Sequence, residues 1–207
     1  QYFTEFREAL HIVGAFEIPK EWRRFKAYDH GRENPFCCLW FALDYDGNVY
    51  VYRELYQRGW NIDEIANEIT RMSEGEFYEY SVADPSIFAN TGIVDNKGAS
   101  TIAEAFTRRG LYFQAGNNRR VDGWTMVHQY LAGDKPKLKI FNTCYNLIRE
   151  LGDAIHDDKK VEDIDTDCSD HCLSGETIVN TTKGDFSIKD LIGKKGNVWS
   201  WNGKKKI

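Results

Sequence analysis

The sequence predicts a mixed α/β sheet with flanking helices, followed by a short all-β segment. Three observations predict it. A hairpin-like pair of apolar runs surrounds Asp46-Gly47. After that pair, helical apolar spacing alternates with short β-type runs up to about residue 150. From Cys172 onward the composition changes to β runs separated by Lys-Gly, Gly-Asn and Asn-Gly turns.

Taken in order, residues 1–23 contain short apolar runs and Pro19, the pattern of an arm or linker leading into a domain. "RFKAYDHG" reads as a strand ending at Asp29, and "CCLWFALDYDGNVYVYREL" as two strands joined at the Asp-Gly turn. "NIDEIANEITRM" places Ile62, Ile65, Ala66 and Ile69 on one helical face. "FYEYSVADP" is a strand ending at Asp84-Pro85. "STIAEAFTRRG" is a helix with a capping box, Thr101 with Glu104, stopping at Gly110. "LYFQA" is a short strand, "GWTMVHQYLAG" a helix closed by Gly133, and "KLKIF" a strand. "TCYNLIRELG" is a helix with Thr143 as its cap.

The 207 residues allow one ordinary domain and a further fragment. The apolar (42%) and charged (29%) shares are those of a globular protein. No apolar run is long enough to span a bilayer. The chain starts at Gln1 without a secretory signal, so a piece cut from something larger is expected. Cys37, Cys38, Cys144, Cys168 and Cys172 form no metal-type pair of pairs, and their odd number argues against a disulfide framework. A reducing cytosolic setting fits. A net charge of −5 excludes a uniformly basic nucleic-acid face. Residues 172–207 carry seven lysines against three acids, a net of +4, which leaves −9 on residues 1–171.

Function in open α/β sheets gathers at the carboxyl ends of strands. Asp29 and Asp84 stand at two such ends, and Asp170 precedes what reads as a late helix. Three clustered carboxylates repel one another unless cations neutralise them. Their hard oxygens suit Mg²⁺ or Mn²⁺. Two such ions about 4 Å apart activate a water and stabilise a leaving oxygen in phosphodiester cleavage. An Asp after a strand is also a common turn former or helix cap, and Asp163, Asp165 and Asp167 are further acids nearby in sequence. Glu54 is either a group supporting metal ligands or a cross-strand charge. Arg119 and Arg120, in the polar "GNNRRVDGW", are candidate DNA-phosphate contacts or solvated loop charges. Arg108 and Arg109 read as an exposed helix end. His30 and His171 each follow a candidate Asp, with local hydrogen bonding the default role. Cys37 and Cys38 read as core.

"EFREALHIVGAFEIPKEWRRFKAYDHGRENPFCCLWFALDYDGNVYVYREL" resembles the beginning of the nuclease domain of phage terminase large subunits. "GLYFQAGNNRRVDGWTMVHQYL", "PKLKIFNTCYNLIREL" and "DIDTDCSDH" come after it in the family's order, covering nearly all of residues 1–171. The resemblance implies a ribonuclease H-like fold and a metal-dependent DNA endonuclease, active on double-stranded viral DNA during packaging. It implies the portal and the small terminase subunit as partners, and the cytoplasm of an infected bacterial host as location. By matching position it makes Asp29, Asp84 and Asp170 the metal ligands, with Asp170 in a pattern of the form "DHxxDALRY". Two departures stand out. No "GxxxxGK[ST]" phosphate loop occurs, and "DALRY" is missing after His171.

The segment after His171 reads "CLSGETIVNTTKGDFSIKDLIGKKGNVWSWNGKKKI". "CLSGET" resembles the first block of inteins, and "GDFSIKDLIGK" and "VWSWNGKK" resemble the next strands of that all-β (Hint-type) fold. The resemblance makes Cys172 a splicing nucleophile whose thiol attacks the carbonyl of His171 and converts the peptide bond between them to a thioester. The "TxxH" block and the terminal His-Asn pair of inteins are absent. The segment is either a truncated intein or the N-terminal half of a split one, and the complete strand-turn unit "NVWSWNGKKKI" favours the split reading, with a complementary C-terminal fragment as partner. Its +4 charge departs from the acidic N-terminal piece more usual in split inteins. The expected organisation is therefore a linker at 1–23, a nuclease domain at 24–171 and an intein segment at 172–207. The rival reading is a DNA-binding or motor-docking module with an inactive intein fragment.

Overall fold

A computed structural model describes residues 1–31, 34–92, 94–117, 119–157 and 162–164, and the backbone of two further strands at 178–181 and 184–187. Asp170, His171 and Cys172 lie outside the described residues, as do Asp165 and Asp167.

Seven strands form one sheet: β1 (Ile12–Val13), β2 (Arg23–Asp29), β3 (Phe36–Leu43), β4 (Val49–Gln57), β5 (Tyr80–Ala83), β6 (Gln114–Ala115) and β7 (Leu138–Phe141). Their order is β1-β7-β4-β3-β2-β5-β6. β3 is antiparallel to both neighbours, and every other pair is parallel. β3 occupies the centre and is buried along nearly its whole length. A strand covered on both faces requires a continuous apolar run, and "FCCLWFAL" supplies it. Cys37 and Cys38 are buried and form no disulfide among the described residues, as their core reading expects.

Helices cover both faces. On one face lie α2 (Ile62–Met72) and α3 (Ile102–Thr107). Phe106 meets Tyr28 of β2 edge-on at 5.2 Å. Ser73, the C-cap of α2, takes bonds from Trp40 and Lys26. On the other face lie α4 (Arg120–Leu131) and α5 (Tyr145–Asp153). Tyr130 of α4 packs on the cluster of Phe25, Leu43, Val49, Tyr80 and Val82. An irregularity between Trp40 and Phe41 of β3 gives β4 one extra residue, so Val51 pairs with Phe41 and Arg53 with Trp40. Such a bulge re-aims side chains. It lets Tyr52 and Arg53 both reach Glu76.

Residues 1–18 pack into the same core. Tyr2, Phe3, Phe6 and Ile18 are buried, α1 (Glu8–His11) precedes β1, and β1 extends the sheet beside β7. His11 is fully buried, with Nε2 3.0 Å from the Leu131 carbonyl at the end of α4. At the far end of the chain, the backbone of β8 (Ile178–Thr181) pairs antiparallel with β9 (Gly184–Ser187). The expected third run, "NVWSWN", lies outside the described residues.

Three sequence expectations change. α5 is not capped by Thr143: its N-cap is Cys144, which makes no side-chain cap bond. Glu54 of β4 does that work instead. Its carboxylate accepts the backbone N–H of Asn146 at 2.8 Å, that of Leu147 at 3.0 Å and the Asn146 side-chain amide. Glu54 is therefore neither a cross-strand charge nor shown beside a metal ligand. It satisfies first-turn donors that no local residue reaches. The Thr101–Glu104 box is half formed: Thr101 caps the Glu104 N–H, but Glu104 reaches back to Ser100 rather than to Thr101. The reciprocal box belongs to α2, between Asn61 and Glu64.

The third change is Arg109, which is a buried clamp rather than an exposed helix end. Its side chain is 6% exposed and binds Asp63 at 2.5 Å and Asp95 at 2.8 Å. This ties the end of α3 to the start of α2 and to the loop after β5. The backbone N–H of Ala99 and the Arg109 guanidinium hold the Asp95 carboxyl down at about 2.

Glu54→Ala leaves helix-end donors of α5 unsatisfied and is expected to cost about 1–3 kcal/mol in urea unfolding. The Asp95 carboxyl is depressed in the folded state, so its stabilisation is fully present above its ordinary value near 3.8 and is lost as pH falls toward about 2. Asp95→Asn is expected to lower the urea midpoint at pH 6 and to flatten its decline between pH 4 and pH 2.

Candidate active site at the carboxyl edge of the sheet

β2, β4, β5, β6 and β7 point the same way, so their carboxyl ends share one edge. β2 ends there at Asp29, and Asp84 follows β5 directly. Tyr28 is in register with Ala83, and the Asp84 N–H donates to the Tyr28 carbonyl at 3.2 Å. The next residues, Asp29 and Asp84, are thus neighbours on adjacent strands, with backbones about 5 Å apart. Sequence reading brings these two carboxylates to one place, and the strand pairing does so.

Each is held by its surroundings. Asp84 caps the 3-10 turn Pro85–Phe88, its Oδ1 accepting the Ser86 N–H at 2.7 Å. The capping role and a ligand role are compatible here, because Oδ2 of Asp84 accepts no hydrogen bond among the described residues. After Asp29 the chain turns sharply. A Cβ on Gly31 would collide with the carbonyl oxygens of Asn34 and Pro35, so the turn requires glycine. His30 Nδ1 lies 2.7 Å from the Tyr28 hydroxyl. Burial pushes that hydroxyl well above its ordinary range, so it stays protonated. The pair anchors the imidazole on Tyr28, the local hydrogen-bonding role expected of it.

The β6 end closes the far side. Gly116 donates to the Ala83 carbonyl at 2.8 Å, and the chain then runs through Asn117 to Arg119 and α4. Asn117 Oδ1 accepts the Arg119 N–H at 3.1 Å, a side-chain-stabilised turn. The two candidate arginines separate here. Arg119 is 75% exposed and lies 3.5 Å from the exposed Asp122. Arg120 is engaged with Asp163 at 3.2 Å and lies over the Trp124 ring. Burial pushes Asp163 up, but bonds from the Trp124 indole, the Ile164 N–H and Arg120 hold it below the usual carboxylate range. Asp163 thus fastens residues 162–164 onto α4.

Among the described residues no three His, Cys, Asp or Glu side chains gather into a metal-type group. Asp29 and Asp84 are the two candidate carboxylates that the strand pairing brings side by side. Sequence reasoning missed Arg109, whose partners lie 46 and 14 positions away. No local signal pairs them.

No family model and no curated protein matches the sequence. Solved structures do match. The large terminase of a thermophilic bacteriophage, in complex with ADP, superposes with a TM-score of 0.70 at 18% identity over 84% of this chain. This chain spans 42% of that protein's length. The P22 large terminase nuclease domain superposes with a TM-score of 0.68 at 14% identity, covering 94% of this chain and 97% of that domain. The large terminase nuclease from thermophilic phage G20c gives 0.53 at 12% identity, over 77% and 84%. At these identities the likeness is one of fold: the mixed sheet with flanking helices is the ribonuclease H-like architecture of phage large terminase nuclease domains.

Proposed function

We propose that residues 24–171 form the metal-dependent DNA endonuclease domain of a phage DNA-packaging terminase, interrupted after His171 by the N-terminal segment of an intein. The observation that carries the nuclease reading is the side-by-side placement of Asp29 and Asp84 at the carboxyl edge of a sheet with the terminase nuclease architecture.

The donor set fits hard divalent cations. Asp29 and Asp84 would hold Mg²⁺ or Mn²⁺ with oxygen atoms, and Asp170 would complete the set. Two bound ions supply an activated water and a stabilised leaving oxygen for phosphodiester cleavage. The chain's own residues do the positioning. The Ser86 cap and the β2–β5 pairing fix the two carboxylates, and Tyr28 anchors His30. Arg119, exposed at the β6 end of the edge, is a phosphate contact, and Arg120 supports it through the Asp163 pair. The substrate is double-stranded viral DNA, and the portal and the small terminase subunit are the partners of packaging. The site of action is the cytoplasm of an infected bacterial host.

The splicing reading rests on "CLSGET" following His171 and on the β8–β9 pairing inside the segment. Cys172 is the nucleophile, His171 the acyl donor, and a complementary C-terminal intein fragment the partner. Before splicing, the helix expected to carry Asp170 lacks the "DALRY" turns of relatives. A helix cut to its first turn does not hold a ligand firmly, so the unspliced chain is a poor nuclease.

Plasmid nicking in Mn²⁺ tests the first reading. A version with the family helix restored is expected to cleave at least tenfold faster than this chain, and Asp29→Asn in it to reduce cleavage to background. Equal rates for the two chains would refute the interruption effect, and persistent activity in the Asp29 variant would refute the site. For splicing, added thiol is expected to release a fragment ending at His171 from the wild type and none from Cys172→Ala. Identical behaviour of the two would refute the role of Cys172.

A further inference from the structure

A negatively charged domain that cleaves DNA needs local cations to hold the backbone near its carboxylates. Residues 1–171 carry −9. Most arginines are committed elsewhere. Arg23, Arg53, Arg71, Arg108, Arg109 and Arg120 are bound to carboxylates, and Arg7 and Arg24 to backbone carbonyls. Arg119 lies near Asp122. Two described arginines remain. Arg58 is exposed, follows the last residue of β4 and forms no ion pair or hydrogen bond among the described residues. Arg149 of α5 is 51% exposed, donates no hydrogen bond among the described residues, and comes only within 3.8 Å of the buried Glu150.

Both belong to the catalytic edge. Asp29 pairs with Cys37, and Cys37 pairs with Tyr56, so these three side chains form one row on the α4/α5 face. The Arg149 guanidinium lies over the Tyr56 ring, 5.7 Å from its centre. Two strand spacings separate Tyr56 from Asp29, about 10 Å. Glu54, two residues before Tyr56, fixes the first turn of α5 and so the height of Arg149 above the row. Arg58 continues β4 two residues beyond Tyr56. Stacking on an aromatic ring orients a guanidinium and leaves its in-plane N–H donors available.

We infer that Arg149 and Arg58 are the phosphate-binding pair on the β4 side of the nuclease site, holding the DNA strand about 10 Å from the phosphate at Asp29. Arg119 lies on the opposite, β6 side, so the strand crosses the sheet edge between two sets of cations. This inference rests on the proposed nuclease function.

Binding of a fluorescent duplex of about 25 base pairs to the full chain, in chelator so that nothing is cut, is measured by anisotropy across KCl concentrations. Removing one phosphate-binding charge lowers the slope of log K against log salt by about 1. Arg149→Gln and Arg58→Gln are each expected to lower it by that amount, and Arg149→Lys, which keeps the charge, to retain it. Arg71→Gln, on the opposite face, is the control and is expected to leave it unchanged. An unchanged slope in both glutamine variants, or an equal fall in the Arg71 variant, overturns the inference and leaves the nuclease reading standing. Failure of the wild type to bind at low salt overturns both. Urea midpoints are taken alongside, and the exposed Arg58 keeps the test open if Arg149→Gln unfolds.

Discussion

The parallel pairing of β2 with β5 is the constraint on which the rest depends. β2 enters the sheet as the first arm of an antiparallel meander, β2-β3-β4, whose order follows from the hairpin turn and the apolar run of β3. β5 returns after α2 and pairs on the free side of β2. That return makes neighbours of Asp29 and Asp84, which lie far apart in the chain. A single-residue slip in this register would move Asp84 away from Asp29 and turn every side chain of β5 to the opposite face. The stacked rings of Phe25, Phe41 and Tyr80 on one face resist the slip. The geometry of the carboxylates is therefore set by hydrophobic packing well behind them.

The loops and helix ends at this edge are secured by charges placed far away in sequence. Glu54 reaches from a strand to the start of α5, Arg109 from α3 to α2 and the loop after β5, and Asp163 from beyond α5 back to α4. Each such contact is made by a group that is part-buried or buried, where its loss leaves an unsatisfied partner rather than a hydrated one. The carboxyl edge that carries Asp29 and Asp84 is thus stiffened by contacts made away from those two side chains. In consequence most of the described arginines are engaged by carboxylates or backbone carbonyls.

Local pattern made much of this legible. The Asp-Gly hairpin, the spacing of Ile62, Ile65 and Ile69 and the runs around Asp29 and Asp84 each state their element within a short window, and the structure forms β3, β4, α2, β2 and β5 there. What pattern could not state were pairings between distant segments. Thr143 carries the right side chain for a cap, yet Glu54, a strand residue 92 positions before Asn146, takes that role. Arg109 sits in a run that reads as an exposed helix end, and only the approach of two other segments buries it. The short β1 gave no strand signal of its own, since two residues are ordered by β7 rather than by propensity. The third candidate ligand, Asp170, belongs to residues the structure does not describe, so the site stands on two carboxylates of the three that sequence nominated.

The order of these contacts along the chain bears on where an interruption is tolerable. Among the described residues the last buried apolar side chain of the domain is Ile164, bridged to His156 and preceded by the Asp163 anchor. Every strand of the seven-stranded sheet, both helical layers and both described carboxylates lie before it. On the proposed reading, a segment joined after His171 would follow every described packing contact of the seven-stranded sheet. Cysteine chemistry at position 172 would then act on a domain already folded. An element entering at β3 or α3 would have to be removed before the sheet could close. On the proposed reading, folding of the sheet and completion of the site would be separable events at the boundary between "DCSDH" and "CLSGET".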